Sequence, residues 1–248
     1  MQFTVITDPA FYAVAVPAVL LTAVSKSGFG GGFGALAVPL MALSLPVLQA
    51  AAIMLSLLAA MDVLGLGALM RSADRSLLRL LIPAGLLGTL IGTLLFGVLS
   101  TRVVSVIVGV VTLVFLAQRL FFPARADAPP PGKAAGVVLG ALSGFTSFVA
   151  HAGAPPVSFF LLPQRLDPVR FTATMAVLFA VINASKWIPY AFLGLIDGRN
   201  LGTALVLMPL VPLGVWIGLR LVKRIDPTWF YRLIHLGMLL TGLKLILS

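Results

Sequence analysis

Long apolar runs fill most of the chain, and short connectors between them carry most of its charges. The uninterrupted runs are about 20 residues long, which is the length that spans the hydrocarbon core of a bilayer. Four segments precede a proline-rich connector and four follow it. We call them A (10–45), B (47–70), C (77–99), D (103–122), A′ (134–162), B′ (169–194), C′ (201–222) and D′ (229–247). The pattern predicts an all-α polytopic membrane protein.

The second half of the chain repeats the pattern of the first. A shift of 122 residues aligns residues at segment starts and breaks, namely Pro168 with Pro46, Gly153 with Gly31 and Gly214 with Gly92. Two similar halves, each with an interrupted segment at the same place, are typical of transporters whose site lies between the repeats. We therefore predict a first membrane repeat at 1–122, a cytoplasmic linker at 123–133 and a second membrane repeat at 134–248.

The basic residues in the connectors distinguish two topologies. If A and A′ enter and return as re-entrant hairpins, 12 bases lie on one side and 3 on the other, whereas eight simple transmembrane helices divide them 8 to 7. The positive-inside rule favours the hairpins. Each half is then a broken hairpin plus three transmembrane helices, and the odd number of crossings makes the halves inverted repeats. Both termini are predicted to lie outside the cytoplasm.

The break in segment A is rich in glycine and stands beside a lysine. Each glycine costs a helix interior about 1 kcal/mol relative to alanine, so the helix should open here. An opened helix at membrane depth is tolerated where it lines a cavity, and a lysine near the bilayer centre costs about 2.5 to 3.5 kcal/mol. A bound anion would accept hydrogen bonds from the N–H groups of the opened helix and would also neutralise the charge of the lysine. The candidate anion ligands are Ser25, Lys26, Ser27, Gly28, Gly30, Gly31 and Gly32.

Two simpler explanations remain open for this stretch. The glycines could serve only to let helices pack closely, as small residues do at membrane helix interfaces. Lys26 could extend its ammonium group to the nearest interface rather than bind a solute.

The break in segment A′ supplies a second set of polar residues. Thr146, Ser147, His151 and Gly153 lie there, and the two prolines after Gly153 suit the first turn of a returning half-helix. Inverted hairpins would bring the two tips together near the midplane. On B′, Asn183 and Lys186 are three residues apart and hence on one helix face, where they could extend the anion site. Lys186 could also reach an interface.

Three residues are candidates for coupling transport to a proton or sodium gradient. Asp62 is the one acid well inside an apolar segment, so it is either the partner of a buried lysine or a protonatable group. His151 could carry a proton or bind the anion. His235 lies within D′ and could equally be a structural core histidine.

Composition narrows the function classes. The chain has 60% hydrophobic residues and a net charge of +10, but its bases lie in short connectors, where they set topology rather than bind nucleic acid. It contains no cysteine and no glutamate, so the side chains usual in metal sites and hydrolases are scarce. We expect no cofactor, no metal and no enzymatic activity. The partners expected are a small anion and the lipid bilayer, and the oligomeric state stays undetermined.

The paired motifs also resemble a known family. Residues 27–40 read SGFGGGFGALAVPL and residues 143–156 read SGFTSFVAHAGAPP. The doubled pattern resembles the sulfite exporter TauE/SafE family, also called the toluene-sulfonate uptake permease family. The resemblance implies a secondary transporter of the bacterial inner membrane for sulfite, thiosulfate or an organosulfonate. An anion channel with two re-entrant loops is the alternative, because selectivity filters are also built from broken helices.

The hairpin topology makes a prediction that single cysteines can check, since the chain has none of its own. Cysteines at positions 73, 127, 166 and 225 should react with an impermeant reagent from the cytoplasmic side, and those at 2 and 248 from the other side. Reaction of positions 127 and 166 from opposite sides would support the eight-helix alternative instead.

Overall fold

The computed structural model describes residues 4–28, 34–96, 98–221 and 227–247, and within them it contains helices and no strands. The α-helices are α1 (Pro9–Gly28), α2 (Ala37–Met41), α3 (Val47–Leu69), α4 (Arg75–Phe96), α5 (Thr101–Phe121), α6 (Lys133–Ala150), α7 (Ala154–Leu161), α8 (Pro168–Phe192), α9 (Gly198–Leu207), α10 (Leu210–Leu221) and α11 (Pro227–Leu247). Short 3-10 turns precede α2 and follow α3 and α7. The all-α fold predicted from the sequence is confirmed.

Both predicted breaks fall at helix ends. Helix α1 ends at Gly28, and the next described turn begins at Gly34. In the second half, α6 ends at Ala150 and α7 begins at Ala154 with prolines in its first turn, as the sequence predicts. Proline fits there because the first N–H groups of a helix have no partner within it.

The described helices include six that are long and apolar enough to cross a membrane, or seven if α9 and α10 count as one bent span. The protein is therefore a multi-pass membrane protein. Segment C′, predicted as one apolar segment, contains two helices, because α9 and α10 meet at a bend of 42°. Pro209 stands at this break, where it has no N–H group to continue the helical hydrogen bonds.

Aspartates begin several of these helices. The carboxylates of Asp8, Asp74, Asp167 and Asp197 each accept hydrogen bonds from backbone N–H groups in the first turn of the helix that follows. Such caps stabilise a helix by about 1 kcal/mol, and the negative charge of the carboxylate interacts favourably with the positive end of the helix dipole. Asp62 differs from these caps, because it lies within α3 rather than at a helix start.

Each broken segment starts and finishes at the same end of the helical bundle. Before α1, the carbonyl oxygen of Thr4 lies against Gly202 in α9. After α2, Gln49 at the start of α3 donates a hydrogen bond to Asn200, also in α9. In the second half, Phe160 of α7 returns to Gly136 near the start of α6. Segments A and A′ therefore each return to the end at which they start, as the hairpin topology requires, and the re-entrant placement in the membrane stays a prediction.

Helices that are equivalent in the two halves run antiparallel. Along α3, Gln49 bonds to Asn200 just after α8, whereas Asp62 bonds to Asn183 within α8. Likewise, Arg102 at the start of α5 donates to the carbonyl of Ile246 at the end of α11. Eight simple crossings would make both pairs parallel, so that alternative does not fit. Antiparallel equivalents are what an inverted repeat requires, and the repeat itself stays a prediction.

Glycines bring the backbones of α4 and α6 into direct contact. A Cβ atom added at Gly88 would lie 1.8 Å from the carbonyl oxygen of Ala141, and one at Gly144 would lie 1.9 Å from that of Gly85. These helices run parallel, because Leu80 contacts Gly136 and Phe148 contacts Gly92 farther along. Small residues permit such close approach between membrane helices. The glycines at 85, 88, 136, 140 and 144 form a surface that we call the glycine ridge.

The glycine ridge predicts a large cost for one added methyl group. Gly144→Ala should destabilise the protein by about 3 kcal/mol, because the new Cβ meets a backbone oxygen that cannot move without displacing α4. Gly65→Ala in α3 is the matched control, since nothing lies within 4 Å of its Cβ position. It should be neutral or raise stability by up to about 1 kcal/mol. Thermal unfolding in detergent measures both, and equal midpoints would contradict the close contact.

Candidate functional site

The Lys26 ammonium group and the Asp62 carboxylate form an ion pair between α1 and α3. Lys26 lies in the last turn of α1, two residues before the helix ends at Gly28. Its side chain is 24% exposed, whereas that of Asp62 is 8% exposed. The charge of Lys26, for which the sequence suggested a bound anion, is therefore compensated by a carboxylate within the protein.

Asn183 connects this ion pair to the second half of the chain. Its Nδ2 donates to Oδ2 of Asp62 at 2.7 Å, and its Oδ1 accepts from Nζ of Lys186 at 3.0 Å. Because the amide has one donor end and one acceptor end, contact with a carboxylate and an ammonium group fixes its orientation. Asp62, Asn183 and Lys186 thus form a continuous polar chain between α3 and α8.

Lys186 is fully buried and has several acceptors around its ammonium group. Besides Asn183, Nζ lies 2.7 Å from the carbonyl oxygen of Ser147, 2.7 Å from its Oγ and 3.0 Å from Nδ1 of His151. An ammonium group has three protons to donate, so these four acceptors satisfy it. We call the connected set Lys26, Asp62, Asn183, Lys186, Ser147 and His151 the lysine network.

The tip of the second hairpin is shaped to hold Lys186. His151 ends α6 in the left-handed conformation, with φ 52°, and its N–H bonds back to the carbonyl of Ser147. Such a left-handed cap is usually glycine, and a side chain there costs of order 1 kcal/mol or more. With Lys186 donating to Nδ1, the imidazole proton resides on Nε2 and is donated to the carbonyl of Ala51, 2.9 Å away.

The carboxyl end of α6 supplies partial negative charge to Lys186. The last carbonyl groups of a helix lack partners within it and form the negative end of the helix dipole. Lys186 takes the carbonyl of Ser147, and the hydroxyl of Tyr190 donates to that of Phe148 at 2.9 Å. A helix end therefore helps compensate a buried cation that has no carboxylate in direct contact among the described residues.

The structure brings together the lysine network but not every candidate residue. Ser25 is buried near the end of α1, Thr146 bonds within α6, and Gly153 is packed against Ser143 and Phe179. Ser27 and Gly28 form the last residues of α1. His235 lies on α11, which packs mainly against α5. The candidates Gly30, Gly31 and Gly32 lie outside the described residues.

Some residues that support the network were not predicted from the sequence. One of them is Tyr190, which follows Lys186 by one helical turn. Residues four apart lie on the same helix face, so this spacing would have predicted that the tyrosine hydroxyl lies near the lysine. The carbonyl of Ala51 could not be identified beforehand, because a backbone acceptor has no residue type that reveals it.

Comparison with protein-family models adds an independent observation. The model described as "Sulfite exporter TauE/SafE" matches residues 15–245, nearly the whole chain. The chain belongs to this family. No curated protein and no solved structure gives a significant match. Membership confirms the resemblance seen in the paired motifs. The general function of this TauE/SafE protein is therefore transport across a membrane.

The Lys26–Asp62 pair predicts coupled effects on stability. Asp62→Leu alone leaves a lysine without its carboxylate, which costs about 3 to 5 kcal/mol for a fully buried pair and less here because Lys26 is partly exposed. Adding Lys26→Met should recover much of that loss. Unfolding of the two single variants and the double variant measures the coupling, which we expect to be about 1 to 3 kcal/mol. Additive effects would show that the two side chains do not depend on each other.

Proposed function

We propose that this TauE/SafE protein is a secondary transporter for a small sulfur-containing anion of the sulfite, thiosulfate or organosulfonate class. The lysine network supports this function most directly, because it joins two intramembrane lysines from different halves of the chain through Asp62 and Asn183. Transporters built from repeats bind their substrates where the halves meet. The bacterial inner membrane and termini outside the cytoplasm are part of the proposal and rest on the resemblance and on the distribution of bases.

The charge of the network favours an anionic substrate. With both lysines protonated, two ammonium groups face one carboxylate, which leaves one positive charge without a counter-charge among these residues. A buried ion is costly unless it is paired, so a negative group entering here would be stabilised. Sulfonate and sulfite oxygens accept hydrogen bonds from ammonium groups in the same way as carboxylates do.

The two lysines have different roles in the proposal. Lys26 contacts the substrate, because part of its side chain is exposed and its carboxylate partner could be exchanged for another anion. Lys186 is buried and surrounded by acceptors, so it orients Asn183 and the second hairpin tip instead. Asp62 then acts as an internal anion that holds Lys26 until substrate arrives.

Release of Asp62 from Lys26 would provide a route to coupling. A proton or sodium ion that neutralises Asp62 as a singly charged substrate binds would keep the net charge of the site constant, and a doubly charged substrate would need two such ions. We propose this exchange as the reason that a carboxylate stands at membrane depth, where ionisable residues are costly and commonly functional. His151 has Lys186 on one nitrogen and Ala51 on the other, which fits a structural role better than proton transfer in this conformation.

A binding screen tests the proposed function. Purified protein is titrated with sulfite, thiosulfate, sulfoacetate, taurine, sulfate and neutral compounds. Lys26→Ala should weaken binding of the preferred anion roughly ten- to a hundredfold, because a charge-assisted hydrogen bond contributes about 1.5 to 3 kcal/mol and 1.4 kcal/mol is tenfold. Lys186→Ala should weaken it less in molecules that remain folded. Lys133→Ala, at the exposed start of α6, is the control and should bind normally.

Two results would contradict the proposal. Unchanged anion affinity in a folded Lys26→Ala protein would show that Lys26 is not part of the binding site. Tighter binding of neutral or cationic compounds would show that the substrate is not an anion. Flux through reconstituted protein separates carrier from channel: a carrier saturates with substrate and shows exchange across the membrane, whereas a channel with two re-entrant loops does neither.

A further inference from the structure

Two polar contacts join the opposite ends of the antiparallel helices α3 and α8 to their neighbours. At one end, the guanidinium group of Arg170 lies 2.9 Å from the carboxylate of Asp74, and the N–H of Asp74 donates to Thr174 at 2.9 Å. At the other end, Nε2 of Gln49 donates to Oδ1 of Asn200 at 3.0 Å. We call these contacts the Asp74 pair and the Gln49 pair.

The lysine network lies midway between these two pairs. Asp62 is 13 residues from Gln49 and 12 residues from Asp74. Residues 49–62 lie within α3, so at 1.5 Å per helical residue Gln49 is roughly 20 Å from Asp62 along the helix axis. On the other side, α3 continues for 7 residues beyond Asp62 to Leu69, and a 3-10 turn then leads to Asp74. A substrate at Asp62 would therefore have one polar pair between it and each side of the membrane.

The two pairs also lie at corresponding places in the two halves. Asp74 immediately precedes α4, which contains segment C, and Arg170 lies in the first turn of α8, which contains segment B′. Gln49 and Asn200 stand in the first turns of α3 and α9, which are the equivalent starts of B and C′. Each contact therefore joins the start of a C or C′ segment to the start of a B′ or B segment, although the shift of 122 residues aligns Asp74 with Ile196 and Arg170 with Leu48. The chemistry differs, however, because one contact is an ion pair and the other joins two neutral amides.

We infer that the Asp74 pair and the Gln49 pair are the two gates of the transport cycle, and that Arg170 and Gln49 set the balance between its two open states. This inference rests on the proposed function, since a carrier opens its central site to one side at a time. Each pair holds one end of the α3–α8 crossing closed. Weakening one pair favours the conformation open at that end and, by mass balance, depletes the other.

The test uses two buried residues that are equivalent in the halves, Ile53 and Met175. Met175 lies on the Asp74 side of the network and Ile53 on the Gln49 side. Each is changed to cysteine in the cysteine-free chain and its reaction rate with a water-soluble maleimide is measured in purified protein. Arg170→Ala should raise the rate at position 175 about two- to fivefold and lower it at 53. Gln49→Ala should do the reverse.

These two residues are changed because their partners have other structural roles. Asp74 also caps α4, and Asn200 also bonds to Leu195 and Asp197. Arg79→Ala is the control: Arg79 is exposed in α4 and has no ion pair with any residue that the structure describes, so neither rate should change. Arg170→Lys retains a cation and should restore both rates. If Met175→Cys impairs folding, Leu178→Cys replaces it as the probe.

Opposite changes at the two cysteines are the decisive observation. A merely structural role for either pair would raise both rates together, and that result, or no change at either position, would overturn the inference. The labelling requires no substrate. Reciprocal changes in a protein that binds none of the sulfur anions would therefore support the gates while contradicting the proposed substrate class.

Discussion

The burial of the Lys186 ammonium group constrains much of the surrounding structure. An isolated charge in an apolar interior is strongly unfavourable, so every proton on this nitrogen needs an acceptor. Those acceptors come from Ser147, His151 and Asn183, and they require α6 to end where it does. The left-handed turn at His151 accompanies the contact of its Nδ1 with the lysine ammonium group, which explains why a strained conformation is retained there.

The segments that the sequence predicts to be equivalent in the two halves carry different polar residues. With the shift of 122 residues, Asp62 is equivalent to an alanine and Lys186 to a leucine, although their helices correspond closely. The network therefore cannot form twice. Equivalent helices cross at the middle of the molecule and supply unlike groups there, α3 an acid and α8 an amide and a base. One asymmetric set of charges therefore lies between two helices that run antiparallel.

The sequence was sufficient to predict the all-α fold, the apolar segments and their breaks, because apolar length and glycine and proline content act through local physics. It also identified Lys26, Asp62, Asn183 and Lys186 as unusual, since polar residues at membrane depth are rare. Their connections could not be predicted. Whether Asp62 pairs with Lys26 or carries a proton depends on how α1 packs on α3. Lys186 also bonds to a backbone carbonyl, and every residue type has the same backbone acceptor, so this contact could not be identified from the sequence.

The glycine ridge has a mechanical consequence. Two helices whose backbones touch have no intervening side chains to change rotamer, so neither can slide or rotate without the other. Helix α4 begins beside Asp74, and α6 ends at the tip that holds Lys186. The close backbone contacts therefore make α4 and α6 a single packing unit, which extends from the start of α4 beside Asp74 to the hairpin tip that holds Lys186. Any movement of α4 at its start must be accommodated by α6, and hence at the buried lysine, without a relay of side chains between the two helices.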